Sequence, residues 1–321
     1  LVEKMNLVVG RIEGNEKGFG FLIPEDKTKD DIYISSEEMN GALHGDKVVV
    51  RLKARNIFGK KEEGEVIRII ERANETIVGT FESSKNFGFV IPDNNKISYD
   101  IFIPKADING AKTNQKVVVQ ITRWPEKRRN PEGKIVEILG YVGEKGTDIL
   151  SIIKQFKLPE EFPQKVQTQA NSIEQTVPQE EIEKRVDLRE LNTFTIDGAD
   201  AKDLDDAVSI EKLSNGNYKL GVHIADVSHY VKERTALDKE AYKRGNSVYL
   251  VDRVIPMLPK ELSNGICSLN PDKDRLTLSV LMEIDKSGNV VDHEIVEGVI
   301  KSKARLVYED VSDLLEKDDE K

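Results

Sequence analysis

Two stretches of the chain alternate apolar residues with others at a period of two, and the second stretch repeats the first. Gly18-Phe19-Gly20-Phe21-Leu22-Ile23-Pro24 is matched by Asn86-Phe87-Gly88-Phe89-Val90-Ile91-Pro92, and Ile32-Tyr33-Ile34 by Ile101-Phe102-Ile103. Asn40-Gly41-Ala42 returns as Asn109-Gly110-Ala111, and Val48-Val49-Val50 as Val117-Val118-Val119. The offset is 68 residues from Gly20 to Gly88 and 69 from Ile32 to Ile101, so the two copies differ by one residue in a loop. Short β-rich runs separated by turn residues predict a small closed barrel in each copy. Side chains alternate across a strand, so Phe19, Phe21 and Tyr33 share one face while Gly20, Leu22, Ile32 and Ile34 take the other. Phe87, Phe89 and Phe102 repeat that arrangement. Such a triplet is either core or a platform on which nucleic-acid bases stack. The aliphatic partners already supply a core face, and the recurrence of the triplet favours the platform.

The pattern changes after the second copy. Ile149, Ile152, Ile153 and Phe156 recur at helical spacing behind Thr147, which predicts a capped helix with one apolar face ending before Pro159. The polar run from Gln167 to Gln179 reads as a loop, and Glu180 to Arg185 as a short helix.

Beyond it, Phe194-Thr195-Ile196 and Ala207-Val208-Ser209-Ile210 are strand-like and enclose Asp197, Asp200, Asp203, Asp205 and Asp206. Carboxylates crowded into so short a loop stay solvated, share protons or surround a hard cation. On one straight strand Asp203 and Asp205 would face opposite to Asp206, so convergence on an ion needs irregular backbone, which Gly198 can provide. A calcium loop of the EF-hand type is excluded. Counted from Asp197, its sixth and twelfth positions are Lys202 and Val208, where glycine and glutamate are required.

The spacing of Asp197, Asp203, Asp205 and Asp206 resembles the catalytic signature of the ribonuclease II superfamily, with Asp200 extra to it. The likeness continues through Gly221-Val222-His223-Ile224-Ala225-Asp226-Val227, the block Gly245 to Pro259, and Leu262 to Pro271; Val186-Asp187-Leu188-Arg189 resembles the start of that family's catalytic domain. The repeated units are similar to the cold-shock OB domains that precede it, except that Ser35 and Pro104 stand where single-domain cold-shock proteins carry a histidine. The segment GADAKDLDDAV and the block from Arg253 to Pro259 lean towards the ribonuclease R branch over ribonuclease II.

The resemblance implies a multidomain chain: two all-β cold-shock-type OB barrels at residues 1–75 and 76–140, a helical or linker connection at 141–185, and at 186–321 the N-terminal part of an α+β ribonuclease II-type catalytic domain. The implied activity is processive, Mg2+-dependent 3′→5′ hydrolysis of RNA to nucleoside 5′-monophosphates. The resemblance assigns Asp197, Asp203 and Asp206 to metal, Asp205 to metal and the attacking water, and Tyr249 to stacking on the terminal nucleotide. Phe19, Phe21, Tyr33, Phe87, Phe89, Phe102 and Arg253 are then RNA-binding residues. His223 is expected to be structural, while Asp226 either supports the metal cluster or caps a turn. Further family residues are expected beyond Lys321, leaving the 321-residue chain itself with little activity. The different-class alternative is an RNA-binding cold-shock-type protein or chaperone without catalysis.

Composition changes this picture little. A net charge of −10 argues superficially against an RNA partner. The excess lies in residues 191–321, which hold 18 basic and 26 acidic side chains, whereas residues 76–140 hold 10 and 7. Arg123, Trp124, Lys127, Arg128 and Arg129 form the most basic patch, either tracking phosphates or forming a solvated hairpin tip. The single Cys267 cannot form an internal disulfide and reads as a buried thiol. No apolar stretch approaches a membrane span. The expected setting is a cytoplasmic monomer acting on single-stranded RNA and on structured RNA with a 3′ overhang, without a membrane partner.

Overall fold

A computed structural model describes residues 6–53, 62–126 and 129–317. The chain divides into two compact units, Leu1–Leu158 and Pro159–Lys321.

The first unit holds both repeats. The first is built from β1 (Leu7–Gly14), β2 (Gly20–Pro24), β3 (Ile32–Ile34), β4 (Lys47–Leu52) and β5 (Gly64–Glu71), in the order β3-β2-β1-β4-β5. The second uses β6 (Thr76–Ser83), β7 (Phe87–Pro92), β8 (Ile101–Pro104), β9 (Gln115–Arg123) and β10 (Glu132–Tyr141), and closes into a barrel through parallel pairing of β10 with β8. The first repeat does not close by a full ladder. Only one parallel bridge, Tyr33 with Glu63, joins its ends among the described residues.

Period-two alternation fixes which side chains go inside. Leu22, Ile32, Ile34, Val48 and Val50 fill the first core, and Phe81, Val90, Ile101, Ile103, Val117 and Val119 the second. Gly10 lets β1 and β2 approach closely, because a Cβ there would lie 2.2 Å from the carbonyl oxygen of Ile23. The two repeats are locked together. Lys96 reaches Glu13 at 2.5 Å, and the Arg72 guanidinium lies 4.1 Å over the Trp124 ring.

Helix α1 (Thr147–Gln155) packs on β6, β9 and β10, with two differences from the expected helix. Left-handed Gly146, not Thr147, stands at the N-cap, and Thr147 is buried. Ile153 is buried, but Ile152 and Phe156 are exposed, so the inward stripe is Thr147, Ser151 and Ile153.

The second unit begins with α2 (Gln164–Asn171) and α3 (Gln179–Ile182). Helix α2 overturns the expected loop over its length. Val166 and Ala170, one turn apart, are its buried residues and pack with Leu237, Leu258 and Leu262. A seven-stranded mixed sheet follows: β11 (Val186–Asp187), β12 (Thr193–Asp197), β13 (Asp206–Lys212), β14 (Tyr218–Ala225), β17 (Asp274–Ile284), β18 (Val290–Lys301) and β19 (Ala304–Val307). Its order is β11-β18-β17-β14-β13-β12-β19, with parallel pairs at both edges, β11 with β18 and β12 with β19. Outside the sheet lie α4 (Val227–Tyr230), α5 (Ala236–Arg244), the hairpin β15 (Val248–Tyr249) and β16 (Val254–Ile255), and the terminal α6 (Tyr308–Lys317). One sheet face carries the core of Leu188, Leu204, Ala207, Ala225, Leu269 and Val296. On the other, Ile210, Ile224, Leu278 and Ile295 are exposed. No helix among the described residues is long and apolar enough to cross a membrane.

Candidate active site

The acidic loop joins two antiparallel neighbours, so the end of β12 at Asp197 and the start of β13 at Asp206 come to the same end of the sheet. Residues 198–205 between them belong to no strand. Leu204, 1 % exposed, anchors this irregular path in the core between Asp203 and Asp205. Its main-chain N–H donates to Ser268 Oγ at 3.1 Å, and that hydroxyl donates to the Lys202 carbonyl at 3.0 Å. Leu269 N–H donates to the Leu204 carbonyl and Ala225 N–H to the Asp205 carbonyl, each at 2.9 Å. Gly198 contributes less than expected. It has no left-handed conformation, and a Cβ there would meet nothing within 4 Å. Ser268 and Leu269 explain what the block Leu262 to Pro271 does for the loop. Buried Arg275 secures that block by donating to the carbonyls of Ser268 at 2.8 Å and Gly265 at 3.2 Å.

The carboxylates sense one another. Burial raises the Asp205 pKa, and the charges of Asp203, Asp206 and Asp197 raise it further. Asp197 is likewise raised, chiefly by burial, with Asp206 and Asp203 adding to the effect. Asp197 Oδ2 and Thr195 Oγ1, two residues back on the same strand face, are both buried and neither makes a hydrogen bond of good geometry, although the Thr195 hydroxyl lies close enough to pull the Asp197 pKa down against the effect of burial. A buried carboxylate oxygen without a donor is costly, and a cation relieves it. Among the described residues, however, no three His, Cys, Asp or Glu side chains converge as a ready-made ion site. Part of the reason is visible in the hairpin, where Tyr249 Oη donates a hydrogen bond to Asp203 Oδ2. The donor set therefore fits a hard divalent cation that keeps waters and takes further oxygens from a phosphate, and not a closed all-protein cage.

Asp197, Asp203, Tyr249 and Arg253 line one open cleft of about 1050 Å³, together with Lys260 and Arg305. Asp205 and Asp206 are not among the residues that line it. Tyr249 is 64 % exposed, so its ring is available for stacking. Arg253 pairs with neighbouring Asp252 at 3.0 Å. Arg305 was invisible to motif reading. Its Nη2 donates to the carbonyls of Gly198 at 3.1 Å and Ala199 at 2.7 Å.

Two further residues resolve into structural roles. Asp226 caps α4, accepting from His229 N–H at 3.1 Å, and pairs with Arg185 at 2.7 Å. His223 is fully buried, with Nε2 3.0 Å from Ser209 Oγ and Nδ1 2.9 Å from Ser279 Oγ.

In the first unit each aromatic triplet forms a half-buried surface cluster. Ring centroids lie 5.6–5.9 Å apart among Phe19, Phe21 and Tyr33, and 5.5–5.7 Å apart among Phe87, Phe89 and Phe102. Across the basic patch, Glu126 and Arg129 form an isolated antiparallel bridge, as in a hairpin tip. Arg123 pairs with Glu132 at 2.9 Å, Trp124 packs against the second core beneath Arg72, and Lys127 and Arg128 lie outside the described residues.

Comparison with known proteins matches residues 10–69 to the ribonuclease B OB domain, 89–163 to the cold shock domain and 185–321 to the RNB domain. Ribonuclease R of Thermotoga maritima is 49% identical over 314 residues, covering 97% of this chain and 44% of that protein. The chain thus spans less than half the length of this relative. Mycoplasma genitalium RNase R in complex with ribose-methylated single-stranded RNA superposes with a TM-score of 0.90 at 29% identity, covering 98% of this chain and 50% of that one. The same enzyme in complex with double-stranded RNA gives a TM-score of 0.74 over 88% of this chain and 47% of that one, also at 29% identity. OB-fold domains followed by a sheet that matches the RNB domain, and likeness along nearly the whole sequence, make the chain similar to the ribonuclease R proteins, with residues 185–321 as its RNB-type part.

Proposed function

We propose that this chain carries the RNA-binding platforms and the cation-holding aspartates of a processive, Mg2+-dependent 3′→5′ exoribonuclease that releases nucleoside 5′-monophosphates. The observation that carries the reading is the buried, unpartnered Asp197 Oδ2 in a cleft shared with Asp203 and the exposed Tyr249. Asp197, Asp203, Asp205 and Asp206 would hold magnesium, with Asp205 also orienting the attacking water. The metal, when bound, supplies charge relief at the phosphoryl oxygens and lowers the pKa of water. The protein's own contribution is positional. The two aromatic triplets bind single-stranded RNA through its bases without reading sequence. Tyr249 stacks on the terminal nucleotide and sets the register of the scissile phosphate, and Arg253 contacts a phosphate. We assign it a cytoplasmic, monomeric setting, and substrates that include structured RNA with a 3′ overhang.

The test uses the 321-residue chain with a 5′-labelled single-stranded RNA under single-turnover conditions. Slow shortening from the 3′ end that stops with EDTA supports the reading, whereas internal cuts would overturn it. One observation favours a second reading, RNA binding or chaperoning without catalysis: among the described residues no three carboxylates stand ready as ligands. That reading predicts RNA binding with no aspartate-dependent uptake of Mn2+.

A further inference from the structure

We propose that Arg305 is the positioning residue of the aspartate loop, holding Gly198 and Ala199 so that Asp197 is presented to a divalent cation. The inference rests on the metal reading above and adds a residue to it.

Among the described residues strand β19 lies at the sheet edge and pairs only with β12, in parallel, with Arg305 opposite Thr195 and Val307 opposite Asp197. Arg305 therefore enters the strand pair two residues before the first aspartate. From there its Nη2 reaches past the end of β12 to two successive carbonyls, at 3.1 and 2.7 Å. An exposed arginine beside a loop of aspartates would ordinarily pair with a carboxylate. This one gives its hydrogen bonds to neutral main-chain oxygens, and its charge acts on Asp197 only through space, favouring the ionised carboxylate. Both bonds leave the same nitrogen, whose two N–H lie in the guanidinium plane, so the plane of that group sets the direction of both peptide carbonyls. The loop is thus held at two points, Leu204 with Ser268 at its far end and Arg305 at its near end. Asp197 sits beside the near hold, with Oδ2 buried and unpartnered. Residues that orient metal ligands without touching the metal commonly change affinity by about 10- to 100-fold.

The experiment compares the wild-type 321-residue chain with R305Q and R305K. It measures Mn2+ binding by electron paramagnetic resonance of the free ion, thermal unfolding by circular dichroism, and single-stranded RNA affinity by anisotropy. The expected result is Mn2+ affinity about tenfold weaker in R305Q, with melting and RNA affinity unchanged, and a smaller loss in R305K. Mn2+ affinity of folded R305Q within twofold of wild type would overturn the proposal. Should R305Q lose its fold, R305K decides, and wild-type affinity there overturns it equally. If wild type itself takes up no Mn2+, the metal reading fails first and this inference with it.

Discussion

Lowering the pH should destabilise the second unit through one residue, His223. The imidazole is fully buried in the middle of the sheet between Ser209 on β13 and Ser279 on β17. Burial pushes its pKa down from the ordinary 6.5 to about 4. The unfolded chain takes up the proton near pH 6.5, whereas the native state refuses it until about pH 4. The stability at stake is therefore fully present above pH 6.5, falls between 6.5 and 4, and is lost below that. Each pH unit in this window is worth about 1.4 kcal/mol, so the loss reaches about 2.5 kcal/mol by about pH 4.5. Other groups titrate nearby, Asp197 and Asp205 among them, which makes the wild-type curve alone ambiguous. His223→Gln isolates the histidine, because the amide can serve both serine hydroxyls without taking a proton. Urea unfolding at several pH values, followed by far-ultraviolet circular dichroism, should show the wild type losing about 2–3 kcal/mol more than the variant between pH 7 and 4.5. Parallel curves for the two proteins would refute the reasoning.

Three further outcomes are expected. In the complete enzyme, Asp205→Asn should slow nucleotide release by at least about a hundredfold while RNA affinity by anisotropy stays within about twofold; equal loss of both would assign Asp205 to folding. Phe87→Ala or Phe89→Ala should weaken single-stranded RNA binding by about 1–3 kcal/mol per lost stack, measured by titration at fixed salt, since base stacking tolerates any sequence but needs the ring. Gly10→Ala should destabilise the first unit by about 1–3 kcal/mol, because the new methyl meets the rigid Ile23 carbonyl. Denaturation followed at Trp124, the single tryptophan, measures it.

What could be read without coordinates follows from the range of the forces involved. The aromatic platforms were legible because strand alternation is local and Leu22, Val90 and Ile101 mark the opposite, buried face. Helix α2 was not, since its sequence is polar and only Val166 and Ala170 turn inward, against partners some 70 to 100 residues away. The aspartates were visible as a motif, but their state was not. Tyr249 reaches Asp203 across 46 residues, Ser268 holds Leu204 across 64, and Arg305 grips Ala199 across 106. Such contacts leave no periodic trace. The partners of Arg123 and Trp124, Glu132 and Arg72, were equally invisible to composition.

The parallel pairing of β19 with β12 imposes an order of events on the newborn polypeptide. Both repeats have all their strands once Tyr141 has left the ribosome, while the aspartate loop must wait for a strand about a hundred residues downstream of it. The aromatic faces are thus in place early in translation and the loop's second anchor late, so that, on the proposed function, a half-made chain touches messages before it has the means to shorten them.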